Sequence, residues 1–221
     1  MSVQKKAPRV QIEVGDRKRF AIGVVLPALS PSGKNGTPDD YLSPTRVLEI
    51  TDGYVTFWVG GVNVLRIDSS QRVPDALRYY SSVCLSMLLE WVYLDRAFDL
   101  TEGKSRSLSE IVNGEATPDL RFKRTGECVA VEWDFENRTR NGCPFHSPKG
   151  AATIDYASYL FCLATLVDDL TAAIGKRSRL CGAWDVWQKW LDGYAEERQA
   201  FERCVDAEIA AGNIAKAVAG K

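Results

Sequence analysis

Chemistry in this chain can start from few places. His146 is the one histidine in 221 residues and stands three positions after Cys143, within Asn137-Arg-Thr-Arg-Asn-Gly-Cys-Pro-Phe-His-Ser-Pro-Lys-Gly150. A structural zinc site needs about four cysteine or histidine ligands. No other histidine exists, and none of the six cysteines (84, 128, 143, 162, 181 and 204) forms a C-x-x-C pair. A cysteine nucleophile needs an imidazole within hydrogen-bond reach, which a three-residue spacing in a proline-flanked segment does not arrange. The segment therefore reads as a loop, with Asn141-Gly142 and its prolines as turn residues. Any histidine-dependent catalysis would rest on His146 alone.

The second set is acidic. Glu132, Asp134 and Glu136 alternate along one strand-like segment, so they share a face, and Asp168-Asp169 follow on a later helical segment. Carboxylates so placed do acid–base work or hold magnesium together with water. They equally make a solvated strand face, the plainer reading, or a surface that steers a basic partner. No G-x-G-x-x-G, Walker-type, G-x-S-x-G, H-E-x-x-H or kinase pattern occurs. The reading is a non-enzyme without cofactor or metal.

These side chains must be carried by a framework, and the chain predicts an α+β one. Arg9–Val14 and Arg19–Leu26 alternate like the arms of a hairpin. Residues 27–44 are rich in Pro, Gly, Ser and Asp and form a long loop bearing Asp39 and Asp40. Asp52-Gly53 and Gly60-Gly61 read as two tight turns of a three-stranded meander. Leu48, Ile50, Val55, Phe57 and Val59 then share the core face, joined by Val62 and Val64. Tyr54, Thr56, Trp58, Asn63, Leu65 and Ile67 occupy the other face. That second face is too apolar to be simply solvated, so it is covered or used for binding.

Pro74 opens an expected helix running to Leu100, and Leu108–Val112 suggests a further helical turn. Leu120–Arg124 and Glu127–Glu136 form a second hairpin about Thr125-Gly126. Its outer face is expected to separate Arg121 and Lys123 near the turn from the three acids farther away. A helix is expected from Ala152 to Ile174. Residues 183–221 form a C-terminal helical element with a seam of Trp184, Trp187, Leu191, Tyr194, Phe201 and Val205, weakened at Gly193. The seam packs on the body or mediates contacts, and packing is the favoured reading. The whole, residues 1–221, is expected as a single α+β domain: an antiparallel sheet of hairpins and a meander, packed by two or three long helices.

Composition bounds the function. Hydrophobic residues make up 45% and charged residues 26%, enough for a core. The formal charge of −1 argues against a nucleic-acid-gripping protein. Dispersed cysteines suggest a reducing, cytoplasmic address. The run Val83–Leu94 is interrupted by Ser86 and Glu90 and is shorter than the roughly 20 residues of a membrane span, so no membrane association is expected.

The order Ile-Thr-Asp-Gly-Tyr-Val-Thr-Phe-Trp-Val-Gly-Gly, a long helix, Val-Ala-Val-Glu-Trp-Asp-Phe-Glu, then a closing helix resembles small cytosolic bacterial proteins. Some of these are immunity proteins of polymorphic or contact-dependent toxin systems. The likeness spans Val47 to Ile174. It implies a binding protein that neutralises a cognate toxin by occluding its active site. Under that reading Glu132, Asp134 and Glu136, or Asp39 and Asp40, meet a basic toxin, and Tyr54 and Trp58 supply anchors. The alternatives are a carboxylate-dependent enzyme, with or without a divalent metal ion, and an adaptor or self-associating protein acting through the C-terminal helix. The oligomeric state stays open.

Overall fold

The computed structural model describes residues 7–29, 47, 50–68, 81–108, 119–140 and 142–212, with the side chains of 81–83 and 119 left aside. The expected strand residue Leu48, the helix start at Pro74, and residues 109–112 lie outside these ranges, as do Asp39 and Asp40.

Alternation of apolar residues makes the first hairpin, β1 (Val10–Asp16) with β2 (Phe20–Leu26), which is the expected one. β2 goes on to pair with β3 (Asp52–Val59), so Ile22 faces Phe57 and Val24 faces Val55 in the ladder. The Gly60-Gly61 turn forms as predicted, with φ of +58° and +86°, values that glycine adopts without strain. It leads into β4 (Val62–Asn63).

The Asp52-Gly53 turn does not form. Ile50 and Thr51 are helical, and Asp52 and Gly53 lie within β3, paired to Cys84 and Val83 of β5 (Ser81–Cys84). Gly53 is needed for space rather than for a turn. A Cβ there would come within 2.6 Å of Leu85 Cδ1 and 2.7 Å of the Val25 carbonyl oxygen. The predicted long helix is correspondingly cut. Pairing with β3 holds 81–84 extended, and helix α1 occupies only Leu85–Tyr93. The resulting five-stranded antiparallel sheet runs β1-β2-β3-β4, with β5 also on β3.

The second sheet is four-stranded, in the order β11-β8-β7-β6, from β6 (Ser105–Leu108), β7 (Asp119–Thr125), β8 (Cys128–Asp134) and β11 (Lys149–Asp155). Leu108 thus ends a strand. The β7–β8 hairpin is the expected one, whereas β11 covers residues read as the start of a helix. Helix α2 begins at Tyr156 and runs to Leu180, because the Asp155 carboxylate accepts the Ser158 N–H at 2.7 Å and caps it. Between β8 and β11 lies a small hairpin, β9 (Thr139–Arg140) and β10 (Cys143–Pro144). α3 (Trp184–Asp192) and α4 (Ala195–Ala210) end the described chain, parted at Gly193-Tyr194 where the seam was expected to weaken.

One core joins both sheets and the helices. Phe20, Phe57, Trp91, Phe122 and Tyr159 form a connected aromatic chain with centroid separations of 5.4–6.5 Å across β2, β3, α1, β7 and α2. α2 is long and apolar enough to cross a membrane by length and composition, and it packs Tyr159, Leu163, Leu166, Leu170 and Ile174 into this core. Of the tryptophan seam, Trp187, Leu191 and Phe201 are buried. Phe201 of α4 meets Tyr93 of α1 with ring centroids 6.4 Å apart and Phe98 just beyond α1 at 5.2 Å, and the Tyr194 hydroxyl, just ahead of α4, donates to Glu90 at 3.0 Å, so α4 packs on α1.

Candidate functional site

β8 alternates as a half-buried strand should. Val129, Val131 and Trp133 point into the core, and Glu132 and Asp134 point out. Glu136 continues the outer row past the strand end, where its backbone N–H donates to Asp134 Oδ1 at 3.0 Å. The three acids therefore share a face as expected. The segregation of charge along this hairpin is not found, since the register sets Arg121 of β7 directly opposite Glu132.

The third strand changes the face further. β11 pairs antiparallel with β8 so that Lys149 stands opposite Asp134. Its ammonium lies 3.0 Å from Asp134 Oδ2 and 3.5 Å from Glu136 Oε2. Asp134 is held below the usual carboxylate range, first by the Glu136 N–H and then by Lys149. Lys149 is raised in turn by Asp134. The ammonium sits where a divalent ion bridging the two carboxylates would have to sit. Among the described residues no group of three histidine, cysteine, aspartate or glutamate side chains is arranged to hold a metal ion.

Around this bridge is an open groove of about 690 Å³. Glu132, Asp134 and Glu136 alternate around it with Arg121, Arg138 and Lys149, and Trp133 with Gly150-Ala151 forms its wall. Trp133 is almost fully buried, and its indole N–H donates to the Ser147 carbonyl at 3.1 Å. Its ring fills the space a Cβ on Gly150 would take. Lys149, Arg138 and Gly150 were missed as site residues. For Lys149 and Gly150 the signal was the β-branched Thr153-Ile154 just beyond them, which suits a strand, and nothing local marks Arg138.

The remaining predicted residues within the described ranges do not join the groove. Tyr54 and Trp58 are half-buried on β3 of the other sheet, and the Arg17 guanidinium covers the Trp58 ring at 4.6 Å. Between them Thr56 is buried and donates to Asn63 Oδ1 at 2.8 Å, while Leu65 and Ile67 are fully buried. That face is thus largely covered. Asp168 and Asp169 lie on α2, outside the groove's lining. Asp168 is raised by desolvation, then by its neighbours Asp169 and Glu202.

Cys143 is buried in β10 opposite Arg140, and His146 is exposed with Nδ1 2.8 Å from Asp68 Oδ1. The His146 N–H also donates to the Arg66 carbonyl at 2.8 Å. The pair C-x-x-H is therefore divided between two structural contacts. The segment is more than a loop. Phe145 packs on Phe135 with centroids 4.5 Å apart and bridges to Ile67, tying the second sheet to the first.

No family model, curated protein or solved structure matches the chain.

Proposed function

We propose that this chain is an immunity-type binding protein, and that the groove on the outer face of β7, β8 and β11 is the centre of its partner surface. The single observation that carries the reading is the Asp134–Lys149–Glu136 bridge inside a groove of alternating charge. Side chains already tied to one another lose little further freedom when a partner arrives. Alternating charge gives register and partner selection more than bulk affinity. The partner is a protein offering its own alternating acids and bases, with a cation seated against Glu132 and Asp134. The groove's nine lining residues are fewer than the roughly 20–30 residues a side of a stable protein interface, so the flanking strands contribute the rim. Neutralisation follows from occlusion: a toxin whose active-site cleft is filled by this face cannot admit substrate.

The test is co-expression with the product of the neighbouring gene, which this reading requires to be a toxin. The wild type should restore growth and co-purify with the toxin. Asp134→Lys should lose both, since it removes the acid and sets two lysines side by side. His146→Ala should keep both. If the neighbouring product is not toxic and nothing co-purifies, or if Asp134→Lys protects as well as wild type, the reading fails.

A further inference from the structure

β11 is the edge strand of the second sheet, and its phase can be read from the bonds at its two ends. The Phe135 N–H donates to the Pro148 carbonyl, and the Tyr156 N–H donates to the Glu127 carbonyl. Antiparallel ladders alternate, so residues 148, 150, 152, 154 and 156 spend their backbone groups on β8. Lys149, Ala151 and Thr153 turn theirs outward. Nothing among the described residues pairs with them there, and all three side chains are exposed.

Edges are normally blunted by proline, bulges or charge. β11 has no proline, and residues 150–154 (Gly-Ala-Ala-Thr-Ile) carry no charge. The other long edge is already met from within the chain, since the Cys162 thiol of α2 donates to the Val14 carbonyl of β1 at 3.6 Å. β11 is therefore the longest described edge without such a contact.

We infer that β11 pairs with β11 of a second copy of this chain, antiparallel across a two-fold axis at Ala151. The sequence is self-complementary in that register. Ala151 faces Ala151, and Lys149 faces Thr153 of the other copy. The diagonal neighbour of Lys149 across the axis is then Asp155, an opposite charge. About six N–H···O bonds form, two for each outward-facing pair. The two four-stranded sheets become one continuous sheet. The formal charge of −1 puts no long-range repulsion between the copies. The seam adjoins the proposed partner site, since Lys149 and Ala151 also line the groove, whereas Thr153 does not, so variants at 153 address the seam alone.

The experiment is sedimentation equilibrium of the full chain over a wide concentration range. A dimer near 49 kDa, twice the 24.5 kDa chain, is expected. Thr153→Pro removes only an outward N–H, so circular dichroism should be unchanged while the dimer is lost. Thr153→Lys places lysine opposite Lys149 twice and should raise the dimer dissociation constant by about tenfold. Thr153→Glu should lower it. A chain that stays monomeric throughout overturns the inference. So does a dimer indifferent to Thr153→Pro, or one that Lys and Glu at 153 weaken equally.

Discussion

Gly150→Ala adds one methyl group, and the structure says what that methyl meets. The Cβ would lie 2.2 Å from Trp133 Cζ2, 2.7 Å from Cε2 and 2.9 Å from Cη2. Gly150 is not among the left-handed glycines, so the backbone has no objection to alanine. The whole cost is the collision with the indole. Overpacking of this kind costs about 1–3 kcal/mol. If the ring swings away it also gives up its bond to the Ser147 carbonyl, worth about 1 kcal/mol more. The expected loss is about 2–4 kcal/mol, or about 5–15 °C in Tm for a chain of this size. Urea unfolding with fluorescence detection measures it. A double-mutant cycle isolates the cause, because in a Trp133→Leu background the obstacle is gone and Gly150→Ala should be nearly neutral. A loss below about 0.5 kcal/mol, the range of inconsequential surface changes, would refute the close packing. So would an equal loss in both backgrounds.

Two further outcomes follow from the same geometry. Asp155→Ala should cost about 1 kcal/mol by removing the α2 cap. Burial raises the Asp155 pKa, but the Ser158 bonds and then Arg19 outweigh it, and the net shift is downward. A depressed carboxylate stabilises above its unfolded pKa of about 3.9 and loses that contribution as pH falls through the folded value. The stability gap between wild type and Asp155→Ala should therefore be full at pH 7 and shrink below about pH 4, as chemical denaturation across pH will show; a gap that widens in acid contradicts the assignment. In thiol alkylation read by mass spectrometry, exposed Cys128 should react first. Cys162, buried and pushed up to about 12, should react only on unfolding, so equal rates for the two would be incompatible with this packing.

What the sequence made legible was mostly what local chemistry decides. Gly60-Gly61 and Gly126 sit at positive φ, and both turns were readable because only glycine is comfortable there. Gly53 misled for a physical reason. A glycine needed for room beside Leu85 looks the same in sequence as one needed for a turn. Residues 81–84 read as helix because Ser and Val between two apolar stretches carry little periodic signal, and only pairing with β3 makes them a strand. Gly-Ala-Ala-Thr-Ile misled similarly. An edge strand with small side chains has weak alternation, and a strong helix follows at once.

The acidic row Glu132, Asp134 and Glu136 was readable from a period of two, yet the character of the site was not. It depends on the register of β11, which no local pattern reports. A slip of one residue would turn Lys149 to the inner face and leave Gly150 opposite Asp134. The groove would then hold two bases against three acids, with no bridge. The intervening segment decides this. Phe145 is seated on Phe135, His146 is bound to Asp68, and Ser147 receives the Trp133 N–H. Each contact pins one residue of the connection to a fixed part of the body and leaves Lys149 one position to occupy. Cys143 and His146, the residues most suggestive of chemistry, thus lie in a spacer. Its contribution to the site is to deliver a lysine opposite an aspartate, and His146→Ala removes only one of three pins.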